Sequence, residues 1–166
     1  SGFYEKLVPS RNCISSAMNV GHPSNIPRLV QMYGGTMDEN GNIGTAPDMD
    51  LIRKDMYAVS INDMETEAMI SEAYTESGLL LEPHGSVGWA GLKRYIDREK
   101  VNSEQLCISL ETAHPAKFPE KIREILSFDP ELPPSLQGLE KKKESFQHLP
   151  TRYSAFKEFL KKDYTG

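Results

Sequence analysis

The sequence lacks an excess of basic charge. Its 19 lysines and arginines are outnumbered by 24 aspartates and glutamates, which gives a formal net charge of −5 over 166 residues. Proteins that bind nucleic acids usually present a basic face that neutralises phosphates. The densest basic run, Lys141 to Lys143, is offset by Glu140 and Glu144, which is typical of a solvated surface segment, with a docking patch as the alternative. We therefore expect no nucleic-acid partner.

The sequence also has few cysteines and no long apolar run. No stretch is long enough to cross a bilayer, and residues 1–20 lack the basic segment and apolar block of a secretory signal. Cys13 and Cys107 lie far apart, without the spacing of metal ligands, and we expect Cys107 to be a buried, reduced thiol within an apolar run. These features predict a cytoplasmic protein with no membrane association and no bound metal.

Motifs that would identify a catalytic site by themselves are absent as well. The chain contains no Gly-rich phosphate loop, no HExxH, no GxSxG and no Cys/His ligand set. Its length and its 38% hydrophobic content fit one globular domain, with or without an appended segment. Because the sequence begins at Ser1-Gly2 without an initiator methionine, we expect a processed chain or a part of a longer one.

Nearly continuous apolar runs alternate with helical patterns along the chain. The runs at 56–61, 79–82 and 106–110 predict strands, and a helical pattern follows each of them. This order is typical of an α/β fold, here a partial parallel three-layer sheet of about three to four strands with flanking helices and a C-terminal helix. We expect residues 1–128 to form part of an α/β domain, and residues 129–166 to form a connector and a helix that packs back on it.

The predicted helices have recognisable ends. Asn62 and Glu65 form a capping box for a helix that Gly78 closes, and Ser24-Asn25 ahead of a proline is typical of a helix start. Residues 36–48, rich in Gly, Asn and Asp, predict a surface loop. Helical patterns recur at 86–98, 118–126 and 151–162, and in the last of these we expect the buried residues to be Tyr153, Phe156 and Leu160.

Polar residues follow the second and third predicted strands, where parallel strands would end at one rim of a sheet. His84 follows the second strand, and Thr112, His114 and Lys117 follow the third. Ligands of open parallel sheets bind at this rim, and Gly85 at the start of the next helix permits the close approach of an anion. Taken singly, each residue also has a structural explanation: a satisfied histidine, a backbone-bonded hydroxyl or a solvated lysine. The residues alone predict a binding rim without a catalytic site.

Three stretches of the chain resemble signatures of the threonine synthase family. MNVGHPSN at 18–25 is similar to the family's MDVGNPSN, PHGSVGWAGLK at 83–93 to its PHGAVG…GLK, and TAHPAKF at 112–118 to its TAHPAKF. They occur in the family's order and, with the tail, cover nearly the whole chain, as in the longer bacterial and fungal type. Asn19 and His22 depart from the usual Asp and Asn, so a charge role at position 19 would be lost and a hydrogen-bonding role retained.

The resemblance implies an enzyme that uses pyridoxal phosphate (PLP), of fold type II with the tryptophan-synthase-β-like fold. Members are carbon–oxygen lyases acting on phosphates, which convert O-phospho-L-homoserine and water to L-threonine and phosphate, with PLP as the electron sink. Only the C-terminal portion is matched, so the Schiff-base lysine and the phosphate loop of the family lie outside this chain. We therefore expect no catalytic residue here, no stable PLP binding and no activity of this chain alone.

The matched motifs imply site residues by their positions. The resemblance places Thr112 against the pyridine nitrogen of PLP, where a hydroxyl can donate a hydrogen bond but cannot hold that nitrogen protonated as an ionised Asp would. It places His114 and Lys117 at the same rim, as further cofactor contacts. Helix capping or structural support is the alternative role for the candidate substrate-binding residues, Ser24, Asn25 and His84.

The expected partners are the substrate O-phospho-L-homoserine and the N-terminal part of the parent enzyme. The exposed edge of a truncated sheet would also make an oligomer possible. Two alternatives remain open: a stand-alone, non-catalytic α/β binding or interaction module, and a fragment of another fold-type-II PLP enzyme, such as a serine/threonine dehydratase or a cysteine synthase. TAHPAKF argues against the second alternative, because those relatives do not share it.

Overall fold

The computed structural model describes residues 4–102 and 104–164. The chain divides into two compact units, Ser1–Glu131 and Leu132–Gly166. The elements of the described residues, in chain order, are α1 (Ile26–Met32), β1 (Thr36–Met37), β2 (Ile43–Thr45), α2 (Met49–Asp55), α3 (Asp63–Ser77), α4 (Pro83–Glu99), a 3-10 turn (Pro115–Lys117), α5 (Pro119–Leu126), a second 3-10 turn (Leu139–Lys141) and α6 (Tyr153–Tyr164).

The core of the first unit lies between α3, α4 and α5. Ile70 of α3 and Ile122 of α5 are both 0% exposed, and burying one such side chain stabilises the fold by roughly 1.5–3 kcal/mol. Two buried hydroxyl residues join α3 to α4, because the Oγ of Ser86 donates to the backbone oxygen of Thr66 at 2.7 Å. The buried hydroxyl of Ser86 therefore has a hydrogen-bond partner.

The ends of α3 form as the sequence predicts. The Oδ1 of Asn62 accepts from the backbone N–H of Glu65 at 3.0 Å, and the carboxylate of Glu65 accepts from the N–H of Asn62 at 2.8 Å. Gly78 closes the helix at a φ of 68°, in the left-handed region that glycine adopts without strain. The capping box and the closing glycine are both confirmed.

The helix expected from Ser86 begins three residues earlier. Pro83 occupies its first turn and Glu82 is its N-cap, so the residues that we interpret from sequence as a strand-to-helix turn already belong to α4. Proline suits this position because the first helical N–H groups have no intrahelical acceptor. The helix predicted around Ile122 is present as α5.

The predicted parallel sheet is not confirmed. Residues 56–62, 79–82 and 106–112 form neither helices nor paired strands, and burial alternates along 106–110 as it does in an extended chain. The sheet of the described residues is instead the antiparallel pair β1–β2, with Thr36 opposite Thr45. The apolar runs are thus not helical, while the ladder of a parallel sheet requires neighbouring strands that the described chain does not supply.

Within the predicted loop at 36–48, residues 36–45 form a hairpin. Asp38 organises its turn, since its carboxylate accepts from the N–H groups of Asn40 and Asn42, each at 2.8 Å. The side-chain and backbone hydrogen bonds from Asn42 are the main causes that lower the pKa of Asp38. Helix α2, which the sequence analysis does not predict, begins directly after the hairpin, at the N-cap Asp48.

The second unit contains a 3-10 turn and α6. The C-terminal helix predicted at 151–162 is present as Tyr153–Tyr164. The prediction that it buries its apolar stripe is wrong, because Tyr153 is 78% exposed, and Phe156 and Leu160 are exposed as well. The expectation that this helix packs back on the first unit stays a prediction.

Candidate functional site

Glu82 is fully buried and caps α4 with its own carboxylate. Its Oε2 accepts from the N–H of His84 and its Oε1 from the N–H of Gly85, each at 2.8 Å. An anion at this position is stabilised by the partial positive charge of the helix N-terminus. The expectation of an external anion here is therefore not supported, because the chain supplies the anion itself.

His84 is held on two sides. Its Nδ1 lies 2.7 Å from Oε2 of Glu82, so Nδ1–H donates to this carboxylate. Its ring packs at a tilt against Phe118, with 5.4 Å between the ring centroids. The carboxylate fixes the orientation and the tautomer of the imidazole and leaves Nε2 as the remaining polar atom of the ring.

Glu111, which follows the third apolar run, contacts the start of α4. Its Oε1 accepts from the backbone N–H of Glu82 at 3.1 Å, across 29 residues of sequence. The carboxylate lies so close to Gly85 that a Cβ added there would be 2.5 Å from Oε2 of Glu111. Glu111 is exposed as a residue, yet partial burial of its carboxylate is the main cause that raises the pKa of this group, and the Glu82 carboxylate adds to the rise.

The TAHPAKF stretch forms an exposed turn. Thr112 ends the extended segment and is exposed, as are His114 and Lys117. The Nδ1 of His114 accepts from the N–H of Ala116 at 3.1 Å, which caps the 3-10 turn and leaves the proton of a neutral ring on Nε2. The backbone N–H of Lys117 donates to the oxygen of His114 at 2.9 Å. A hydroxyl, an imidazole N–H and an ammonium are thus exposed along one short turn.

The two turns at 82–86 and 111–118 are in contact, through Glu111 and through the ring of Phe118. Ser24 and Asn25 are not joined to them by any hydrogen bond or ring contact of the described residues. Asn25 is the N-cap of α1 but makes no side-chain cap, and its Oδ1 instead accepts from Arg28 at 3.1 Å. The predicted side-chain cap of α1 is therefore wrong.

Sequence reasoning missed two residues of this site, Glu82 and Glu111. Pro83 is typical of a first helical position, which makes the residue before it, Glu82, the expected N-cap, so this residue could have been found. Glu111 has no comparable local signal, because its partners belong to α4. Among the described residues no group of three or more His, Cys, Asp or Glu side chains could hold a metal ion.

Comparisons with known proteins identify relatives of this chain. The family model described as "Threonine synthase, C-terminal" matches residues 85–160. The chain is 33% identical to threonine synthase of Haemophilus influenzae over 123 residues, which is 74% of this chain and 24% of that protein. It is 26% identical to threonine synthase of Escherichia coli over 147 residues, or 89% of this chain and 30% of that protein.

One solved structure matches nearly the whole chain. The PLP-bound threonine synthase from Brucella melitensis superposes with a TM-score of 0.73 and 27% identity over 98% of this chain and 36% of that chain. The chain is homologous to the C-terminal portion of threonine synthase. It spans about a quarter to a third of the length of these relatives. Within the part of the chain that the structure describes, no helix has the length and apolar character needed to cross a membrane.

Proposed function

We propose that this chain is the C-terminal portion of a cytoplasmic threonine synthase, and that it forms one wall of its active site. The reaction is the conversion of O-phospho-L-homoserine and water to L-threonine and phosphate by a PLP-dependent carbon–oxygen lyase. The observation that carries the proposal is the match of 98% of this chain to a PLP-bound threonine synthase, combined with the exposure of Thr112 in the TAHPAKF turn.

The exposed turn suits the cofactor chemically. A hydroxyl can hydrogen-bond a pyridine nitrogen in either direction, and Thr112 presents one at the end of an extended segment. Lys117 and His114 are exposed beside it, and an ammonium and an imidazole N–H both suit the anionic groups of PLP or of the phosphorylated substrate. PLP, when bound, supplies the electron sink of the reaction. The role of this chain is to orient the ring and to bind its polar edge.

The covalent anchor for PLP is expected from residues outside this chain. A Schiff-base lysine needs a neutral amine, hence a lowered pKa. Lys93, which ends the matched PHGSVGWAGLK stretch, has the opposite character, because its ion pair with Glu72 raises its pKa. Lys121 is likewise paired, with Glu124 at 2.8 Å and with Glu67, and its pKa is raised. We therefore propose that the chain alone is inactive and does not retain PLP.

The extended segment at 106–110 supports a role as part of a larger sheet. Leu106, Ile108 and Leu110 are 83%, 72% and 76% exposed, so a row of apolar side chains faces solvent. Such a row normally packs against further elements, and an unpaired extended backbone offers a template for a neighbouring strand. We propose that the preceding part of the polypeptide covers this row. A second copy of the chain could compete for the same edge, which makes an oligomer of the isolated chain possible.

The test compares this chain with the polypeptide encoded by the whole reading frame that contains it, called here the complete gene product. We expect the complete gene product to keep PLP absorbance through dialysis and to release phosphate and L-threonine from O-phospho-L-homoserine. The 166-residue chain, assayed in parallel, should do neither. A reading frame that encodes no more than this chain, or a chain that by itself retains PLP on one lysine, would contradict the proposal.

A further inference from the structure

The segment 106–113 carries Thr112, yet few contacts hold it in place. It forms neither a helix nor a paired strand. Among the described residues, the single hydrogen bond that joins it to another element runs from the backbone N–H of Glu82 to the carboxylate of Glu111, at 3.1 Å. The position of Thr112 therefore depends on how its neighbour Glu111 is held.

Two glycines of α4 make room for this segment. A Cβ added to Gly85 would lie 2.5 Å from Oε2 of Glu111, and one added to Gly88 would lie 3.2 Å from the Oγ of Ser109. Ser109 and Glu111 thus share the side that faces α4. Because successive side chains of an extended segment point to opposite sides, Thr112 lies on the other, open side, which agrees with its exposure.

We propose that Glu111 is a positioning residue for Thr112. Its carboxylate, seated on Gly85 and bound to the N–H of Glu82, fixes the register of the segment 106–113 on α4. The inference rests on the proposed function, in which the hydroxyl of Thr112 contacts PLP. A slip of one residue would exchange the two sides of the segment and turn Thr112 toward the helix. Glu111 itself touches neither substrate nor cofactor in this arrangement.

The contact of the Glu111 side chain with the N–H of Glu82 requires a hydrogen-bond acceptor at position 111 and not a charge. The group that it binds is a backbone N–H, and the nearest carboxylate, that of Glu82, opposes its ionisation. The other titratable groups near it are His114, which favours ionisation, and His84, whose Nδ1–H is already given to Glu82. Glutamine keeps the acceptor oxygen and the length of the side chain, so Glu111→Gln is the conservative variant, and Glu111→Ala removes both.

Amide hydrogen exchange of the 166-residue chain tests the hydrogen bond between the N–H of Glu82 and the carboxylate of Glu111. In Glu111→Ala the N–H of Glu82 loses its acceptor, and we expect its exchange to accelerate about tenfold, the scale of one hydrogen bond. Glu111→Gln should stay within about threefold of the parent. The matched control, Glu120→Ala, removes an exposed carboxylate of α5 and should leave the exchange of the Glu82 N–H unchanged. Unchanged exchange in Glu111→Ala overturns the inference.

PLP affinity of the complete gene product tests the link to Thr112. Glu111→Ala should weaken PLP binding about fivefold, Glu111→Gln should restore it, and the loss should vanish in a Thr112→Val background, because both changes act on one contact. If Glu111→Ala leaves PLP affinity intact while Thr112→Val lowers it, the positioning role is wrong and the proposed function stands. If Thr112→Val has no effect, both fall. Should Glu111→Ala not fold, Gly85→Ala displaces the same carboxylate and provides the same comparison.

Discussion

The buried carboxylate of Glu82 binds the imidazole of His84 at 2.7 Å while it caps the helix on which that histidine lies. Three donors converge on it: the N–H of His84, the N–H of Gly85 and the ring Nδ1–H. A single side chain therefore sets the start of α4 and the orientation of His84, and the backbone N–H of the same residue binds Glu111.

Removing the Glu82 carboxylate should destabilise the chain strongly. A lost N-cap costs about 0.5–2 kcal/mol and an unsatisfied buried donor about 1–3 kcal/mol, so we expect Glu82→Ala to lower the free energy of unfolding by about 2–4 kcal/mol in urea denaturation. Asp48→Ala is the control, because it removes the exposed cap of α2 and should cost about 0.5–2 kcal/mol. Equal losses in the two variants would contradict the role of burial at Glu82.

A methyl group at position 85 should displace Glu111. Gly85→Ala places a Cβ 2.5 Å from that carboxylate, which must move aside and give up its hydrogen bond to Glu82, so we expect the better helix propensity of alanine to be offset and stability not to rise. Gly91→Ala on the same helix is the matched control, since its Cβ would meet Val59 at an ordinary 3.5 Å. The control should gain up to about 1 kcal/mol. Stabilisation by Gly85→Ala as well would show that Glu111 does not occupy this seat.

The raised pKa of Glu111 predicts the sign of a pH effect. An acid whose folded-state pKa is raised contributes stability that is present below its ordinary pKa, about 4.3, and is lost as pH rises through the folded value. Glu111→Gln cannot ionise and should not show this loss. We expect the difference in unfolding free energy to move in favour of Glu111→Gln as pH rises from 3 to 7, followed by denaturant titrations at each pH. A difference that moves in favour of the parent chain would contradict the cause assigned to the shift.

The contribution of the exposed apolar row at 106–110 to stability should differ between the 166-residue chain and the complete gene product. In the 166-residue chain, Ile108→Ala should change stability by no more than about 0.5 kcal/mol, whereas Ile122→Ala in the core should cost about 2–5 kcal/mol. In the complete gene product, Ile108→Ala should also become costly, by at least about 1 kcal/mol, because the row would then be covered. Thermal or chemical denaturation of these three variants and of their two parents gives the comparison. An Ile108→Ala change that stays neutral in both contexts would show that the preceding part of the polypeptide leaves this row open.

Local sequence signals predicted the local parts of this structure. The capping box at Asn62 and Glu65 and the glycine at 78 act through groups within a few residues, so pattern and geometry agree. The hairpin at 36–45 was missed because its strands are two and three residues long and its turn is rich in Gly, Asn and Asp. Composition of that kind indicates a loop even where two short strands pair.

Non-local features could not be derived from sequence in the same way. The apolar runs predict extended segments, but the partners of a parallel sheet are not among the described residues, so pairing is not set by the runs themselves. The contact of Glu111 with α4 depends on two segments 29 residues apart that meet only in the folded chain. The motif TAHPAKF, in contrast, indicated the threonine synthase family because it is a specific sequence motif and not a periodic pattern.

PLP affinity of the complete gene product in a Thr112 series is the most direct test of the central claim, that the hydroxyl at the end of segment 106–112 contacts the cofactor. Thr112→Ser keeps the hydroxyl and should retain an affinity within about threefold of the parent, whereas the isosteric Thr112→Val should weaken it about three- to tenfold, the scale of one hydrogen bond, with a changed PLP absorbance spectrum. Equal affinity and identical spectra in Thr112→Val and the parent would contradict the claim.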